Sequence, residues 1–220
     1  MGEYYDWVNV DRKEYICPND FGLGNKLTES SEVNNPFLRA LNELMEKEWK
    51  NSRIVFMGDS KDLSKDDSNE TIKILYNQSV ECGCEGCGSD TVVETYRNIS
   101  GWFSAAESYV KREVEFYLQD VKNGEPHTFN EYGVDLTDPY KGLFIRKGTE
   151  CSYILNHTKM ICCSLVKTRI TGTTSEYIDP RPVLLRFGIY GTGDWVGDFI
   201  GISDIIPDGY KLLEEITIDY

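Results

Sequence analysis

Positive charge is scarce in this chain. Against 37 aspartates and glutamates stand 23 lysines and arginines, a formal net charge of −14. Proteins that grip a phosphate backbone draw their affinity from clustered basic side chains, so no nucleic-acid partner is expected. Histidine is rarer still, with 2 in 220 residues. His127 and His157 are therefore the only imidazoles for metal or acid–base chemistry. No apolar run approaches membrane-spanning length. The opening Met1-Gly2-Glu3-Tyr4-Tyr5-Asp6 lacks a basic, apolar signal pattern, and residue 6 is not the Ser or Thr of a myristoylation signal. These absences point to a cytoplasmic protein without a membrane partner. Nucleophile-elbow, phosphate-loop and zinc-protease patterns are missing as well.

What is present excludes disorder. Hydrophobic residues make up 40% and aromatics 12%, and 220 residues bury a sizeable core as one large or two small domains. The clearest organisation is an internal repeat. Setting Trp49 on Trp195 aligns Glu48 to Gly58 with Asp194 to Asp204 without a gap, placing Ile54 on Ile200 and Phe56 on Ile202. Upstream, Pro36-Phe37-Leu38 falls on Pro182-Val183-Leu184, and Leu41 on Phe187. Trp7-Val8-Asn9 falls on Ile154-Leu155-Asn156, with one residue lost in the following turn.

Each repeat reads as strand, strand, helix, strand. Aromatic and β-branched residues from Tyr5 to Val10 turn at Asp11-Arg12 into Glu14 to Cys17, a hairpin. Asn35-Pro36 is a helix start, the asparagine capping and the proline preset for the first position. Phe37, Leu38, Leu41, Leu44, Met45 and Trp49 then recur at helical spacing, and Arg53 to Met57 follows as a buried strand. Between the repeats, Ser104-Ala105-Ala106-Glu107 has the form of a capping box. It opens a helix that Asn123-Gly124 ends, expected to pack across both units. In the second unit Leu143 to Ile145, Cys151 to Asn156, Met160 to Leu165 and Phe199 to Ser203 read as strands. Leu213 to Tyr220 follows as another, and Gly188 cuts the second helix short. The expected fold is α+β, with pseudo-twofold units at 1–60 and 141–220 flanking an insertion at 61–140 that carries the long helix, all in one globular domain.

Two motifs carry candidate chemistry. Cys82-Gly83-Cys84-Glu85-Gly86-Cys87 places three thiols close enough to hold zinc, which takes four ligands tetrahedrally. The fourth must come from elsewhere, and a loop with incidental thiols accounts for the same residues. Seven cysteines without an export signal otherwise suggest reduced thiols. Cys162-Cys163 sits in a strand, one side chain expected inside and one out. The second motif is Gly-Asp, at Gly58-Asp59 and Gly197-Asp198. Turn chemistry explains such a pair without a function. The functional alternative gathers Asp59, Asp198 and Asp204 in a cleft between the repeats, with Trp195 beside them, to bind a ligand, a cation or a basic group.

The opening Gly2-Glu3-Tyr4-Tyr5 with Val8-Asn9-Val10-Asp11-Arg12-Lys13-Glu14, and the Trp195-Val196-Gly197-Asp198-Phe199-Ile200 element, resemble a widespread, largely uncharacterised family of small proteins. Its members open Gly-x-Tyr-Tyr…Val-Asn-x-Asp-Lys-Lys-Glu and later carry Trp-x-Gly-Asp-x-Ile. The resemblance implies the fold and no activity. Asn51-Ser52 stands where the first element would have Gly-Asp.

Three functions remain open at this level. An acidic binding or inhibitory protein, such as an immunity-type partner of a basic toxin or nuclease, fits the charge and the aromatic content. An enzyme or small-ligand protein would use the cleft carboxylates. A zinc-stabilised interaction domain would use Cys82, Cys84 and Cys87.

Overall fold

A computed structural model of the protein describes residues 2–81, 95–124, 132–171 and 178–217. In chain order its elements are β1 (Tyr5–Asn9), β2 (Glu14–Ile16), α1 (Pro36–Glu46), β3 (Ser52–Gly58), α2 (Glu70–Glu81), β4 (Arg97–Asn98), α3 (Glu107–Asn123), β5 (Tyr153–Asn156), β6 (Ile161–Ser164), β7 (Arg169–Thr171), α4 (Arg181–Leu184), β8 (Arg186–Gly188), β9 (Gly191–Thr192), β10 (Phe199–Ser203), β11 (Lys211–Leu213) and β12 (Glu215–Thr217). Short 3-10 turns lie at Pro18–Phe21, Ser100–Trp102 and Ser104–Ala106. The fold is α+β, built on a mixed sheet.

Side chains alternate between the faces of a strand, and in β1 and β3 both faces are apolar. Tyr5, Trp7, Ile54 and Phe56 enter one core, while Val8, Val55 and Met57 enter a second. Such strands need cover on both sides. Phe37, Leu38, Leu41 and Leu44 of α1 close the first core, and Ile72 and Leu75 of α2 close the second. The start of α1 is as its local chemistry predicts: Asn35 accepts from the Leu38 amide at 2.8 Å, and Pro36 occupies the first position. At the start of α2, Asn69 Oδ1 accepts from the Thr71 amide at 3.0 Å. Its Nδ2 donates to the Val196 carbonyl at 2.6 Å, tying the start of α2 to the segment before β10.

The main sheet runs β11-β6-β5-β10-β3-β1-β2-β4. Outward from the β3–β10 contact, each direction meets a first hairpin strand and then a second. The registers agree as well. Trp7 faces Ile16 as Ile154 faces Cys163, and Asn9 faces both Glu14 and Ile54 as Asn156 faces both Ile161 and Ile200. In the hairpin turns Asn9 Oδ1 accepts from the Arg12 amide at 3.0 Å, and Asn156 Oδ1 from the Lys159 amide at 2.9 Å. Lys13 and Met160, then Asn51 and Gly197, take positive φ at matching places. The two halves of the sheet thus share strand order, register and turn contacts at these positions. The hairpin turns are of equal length, so the residue lost between the halves falls further along the chain than the sequence alignment put it.

Several local expectations are corrected. The capping box does not form: the Ser104 hydroxyl donates to the Arg146 carbonyl at 3.1 Å, and α3 begins only at Glu107. Nor does α3 cross both halves. Only Val110 and Val114 within it are buried, and it packs on the turn at Pro18–Phe21. It ends where expected, with Gly124 at φ +74. Residues 143–145 form no strand, Phe144 standing at φ +63. Cys162 and Cys163 are both fully buried rather than one in and one out. The counterpart of α1 is a single turn, after which Arg186 and Phe187 join β3 as a parallel strand.

The two halves differ informatively at one buried polar site. Asp198 accepts from Asn156 Nδ2 and from Lys159 Nζ, each at 2.7 Å. Its aligned residue in the first half is Ser52, which is too short to serve the same purpose, and Asn9 Nδ2 is buried without a partner. Asp198→Ser should therefore cost about 1–3 kcal/mol, because it strands a buried donor. Thermal unfolding of the variant should show a midpoint lowered by several degrees; an unchanged midpoint would remove Asp198 from the account of stability.

Candidate functional site

The aspartates singled out by sequence do not converge. Asp59 sits in the turn after β3, where Oδ1 accepts from the Tyr4 amide at 3.1 Å and the Ser60 hydroxyl at 2.8 Å. Asp198 makes the hairpin contacts already described. Asp204 is exposed and accepts from the Ser152 hydroxyl at 3.3 Å. Phe199 pairs with Arg53, and Asp59 lies six residues beyond Arg53, about 20 Å at the usual strand rise. The cleft between repeats is thus corrected to three separate turns: Asp59 is held by a backbone amide and a neighbouring hydroxyl, and Asp198 and Asp204 by side chains of the β5 region. Trp195 is 2% exposed and belongs to the core, so it presents no binding face. Cys82, Cys84 and Cys87 lie outside the described residues. Among the described residues no group of metal-ligating side chains comes together, and no helix is long and apolar enough to cross a membrane.

The structure instead brings polar groups together at the far end of the first half. A cleft of about 810 Å³ opens between the β1–β2 hairpin, the turn after it, Asn98 of β4 and one flank of α3. Pro18 starts the 3-10 turn that carries Asp20 inward, and Gly22 ends it at φ +72. A Cβ on Gly22 would sit 2.7 Å from the Tyr109 ring, so the turn and α3 are fitted to each other there. From α3 come Tyr109, Arg112, Glu113 and Asp120; from the hairpin, Asp6 and Tyr15; from the turn, Cys17 and Asp20.

Asp20 is the centre of this cleft. It is 7% exposed and accepts from the Tyr132 hydroxyl at 2.7 Å and from Asn98 Nδ2 at 2.9 Å. Asn98 is held in turn by the Ser100 amide, which donates to its Oδ1 at 2.9 Å. Burial pushes the Asp20 carboxyl above the usual aspartate range, against the pull of the hydrogen bonds from Tyr132, Asn98 and Ser100. Burial also raises the Cys17 thiol, and the negative charges of Asp6 and Asp20 raise it further. Tyr15 is raised by burial, then by Asp6 and Asp20, and Tyr132 by burial, then by Asp20. The thiol and both phenols therefore keep their protons at neutral pH. A protonated thiol is a poor nucleophile, so the cleft is not arranged for attack by Cys17. Its mobile charge resides on carboxylates.

Sequence reasoning passed over Asp6, Tyr15, Asp20, Asn98 and Tyr132, and counted Cys17 only among the residues that could supply a fourth zinc ligand. Asp6, Tyr15 and Cys17 sit in the stretch assigned to the first hairpin, and Asp20, Asn98 and Tyr132 in no assigned element. The available signal was an aspartate directly after Cys17-Pro18-Asn19, beside a strand with an acidic residue at its second position. Comparison of the chain with protein-family models, with curated proteins and with solved structures returns no match, so no relative's chemistry bears on the cleft.

A pH dependence follows from Asp20. Because its folded carboxyl binds a proton more tightly than an ordinary aspartate, the stability it contributes is complete below about pH 3.9. That stability is lost as pH rises through the folded value. A cation entering the cleft prefers the ionised form, so affinity should climb through the same window and then level. Calorimetric titration with arginine from pH 4 to 8 should show this rise, with proton release near its midpoint, and Asp20→Asn should abolish it. A flat pH profile in the wild-type protein would contradict the assignment.

Proposed function

We propose that the protein is an acidic binding protein that receives a cationic group of a basic partner in the Asp20 cleft, as an inhibitory or immunity-type protein would when covering a toxin or nuclease. The observation that supports this most is the charge of the lining. Asp6, Asp20, Glu113 and Asp120 face the cleft together with a single cation, Arg112. That guanidinium is already engaged by Glu113 at 3.3 Å. An arginine or lysine side chain of a partner would meet carboxylates on both walls. Partial burial makes such pairs stronger than exposed ones. Tyr15, Tyr109 and Tyr132 add aromatic surface, which suits protein interfaces and cations alike. The overall charge of −14 would speed encounter with a basic partner.

A second reading has its own support. Asp20 lies deep in the cleft, within reach of a free amine or guanidine, so a small cationic ligand fits the same chemistry. The two are separable. An arginine-rich peptide and free arginine are titrated against the wild type and against Asp20→Asn and Asp120→Asn, at salt concentrations from 50 to 300 mM, on the order of one Debye length change from 14 to 6 Å. A protein-binding site should hold the peptide far more tightly than free arginine, with affinity falling roughly tenfold or more across that salt range. Loss of charge at Asp120, at the exposed rim, should weaken the peptide more than the amino acid. Binding of free arginine alone would favour the small ligand. Absence of both, or binding insensitive to salt and to both substitutions, would refute the cation site.

A further inference from the structure

A second, independent site lies in the other half of the chain. Arg186 of β8 is 4% exposed, yet among the described residues none forms an ion pair or hydrogen bond with its side chain. Its Nε and Nη1 are buried without partners. A guanidinium taken out of water is strongly destabilising unless oxygen atoms replace its hydration. The chain uses its other buried arginine in the expected way. Arg181 is 1% exposed, and its Nε and Nη2 bind the Asp179 carboxylate at 2.8 and 2.6 Å. Arg186 stands out against that pattern.

Its surroundings give the reason. Arg186 lines a cavity of about 120 Å³ together with Val183, Leu184, Thr192, Gly193 and Thr217, several times the space one water needs. Gly193 donates its amide to the Arg186 carbonyl at 2.7 Å, which fixes the cavity wall to the strand. Glu3 is the buried acid on this side of the sheet, but its oxygens are taken by the Tyr5 hydroxyl and by the Ile189 amide at 2.8 and 3.1 Å. A second cation stands at the rim: Lys61 Nζ donates to Thr192 Oγ1 at 3.1 Å. Against these, the exposed Asp194 is the one carboxylate in the lining.

We propose that this cavity binds a small oxyanion, a phosphate or a carboxylate, on the Arg186 guanidinium. The planar fork of an arginine matches two oxygens of such a group, and the hydroxyls of Thr192 and Thr217 donate to a third. The site is of opposite sign to the Asp20 cleft and does not depend on it.

Wild-type protein is titrated with sodium phosphate and, separately, sodium acetate at constant ionic strength set with sodium chloride, and binding is read by calorimetry and by the thermal midpoint. At a hundredfold excess over the dissociation constant the midpoint should rise by about 5 °C or more. A response to phosphate alone, to acetate alone or to both supports the site and identifies the oxyanion it prefers. Arg186→Gln should weaken binding at least tenfold. Asp194→Asn, an exposed substitution that leaves the core untouched, should tighten it severalfold by removing the opposing charge. The proposal fails if neither anion outperforms chloride in the wild-type protein. It also fails if Arg186→Gln binds as well as wild type, or if Asp194→Asn leaves the affinity unchanged.

Discussion

Strand β3 has two edges and three partners, and the arrangement of the molecule follows from how they are shared. One edge is given wholly to β1. The other is divided: Ser52 and Arg53 at its start pair with β10, and Phe56 and Met57 near its end pair with β8. Both strands on the divided edge come from the far half of the sequence. Ile54, Val55 and Phe56 are fully buried, and burying side chains of this size contributes on the order of 1.5–3 kcal/mol each. The two hydrophobic cores therefore meet at the same seven residues that hold the halves in one sheet.

This division decides where binding chemistry is available. Around the β3–β10 junction polar side chains are consumed by structure: Asp198, Asn156 and Lys159 satisfy one another, and Arg53 is held by Asp11 at 2.9 Å. Away from it lie the two candidate binding places. The Asp20 cleft concentrates carboxylates beside protonated phenols and a protonated thiol, and the cavity at Arg186 encloses a cation with no oxygen assigned to it. They lie at separate places in the fold, with opposite charge preference.

Much of the architecture was legible because it is encoded locally. Asn35-Pro36 starts a helix and Asn123-Gly124 ends one through the chemistry of neighbouring residues, and runs of aromatic, β-branched and other apolar residues mark β1 and β3. The box at Ser104 misled because a distant carbonyl, that of Arg146, offered its hydroxyl a better partner than its own helix did. The aspartates at 59, 198 and 204 suggested a cleft because adjacency in an alignment is not adjacency in space, and antiparallel pairing puts the ends of matched strands far apart. The Asp20 cleft draws on residues from 6 to 132. No spacing within one segment records that meeting; it exists only after α3 has folded back over the first hairpin.

The shared edge of β3 has a further consequence. Although the sequence looks like two copies, neither copy holds a complete sheet: residues up to 58 leave an open, apolar strand edge, and residues from 153 supply the strands that cover it. A backbone cut between α3 and β5 would thus yield two fragments that are each sticky alone and complementary when mixed. The protein is in this sense a covalently joined pair of interlocking pieces, with the connecting segment serving to keep their effective concentration high.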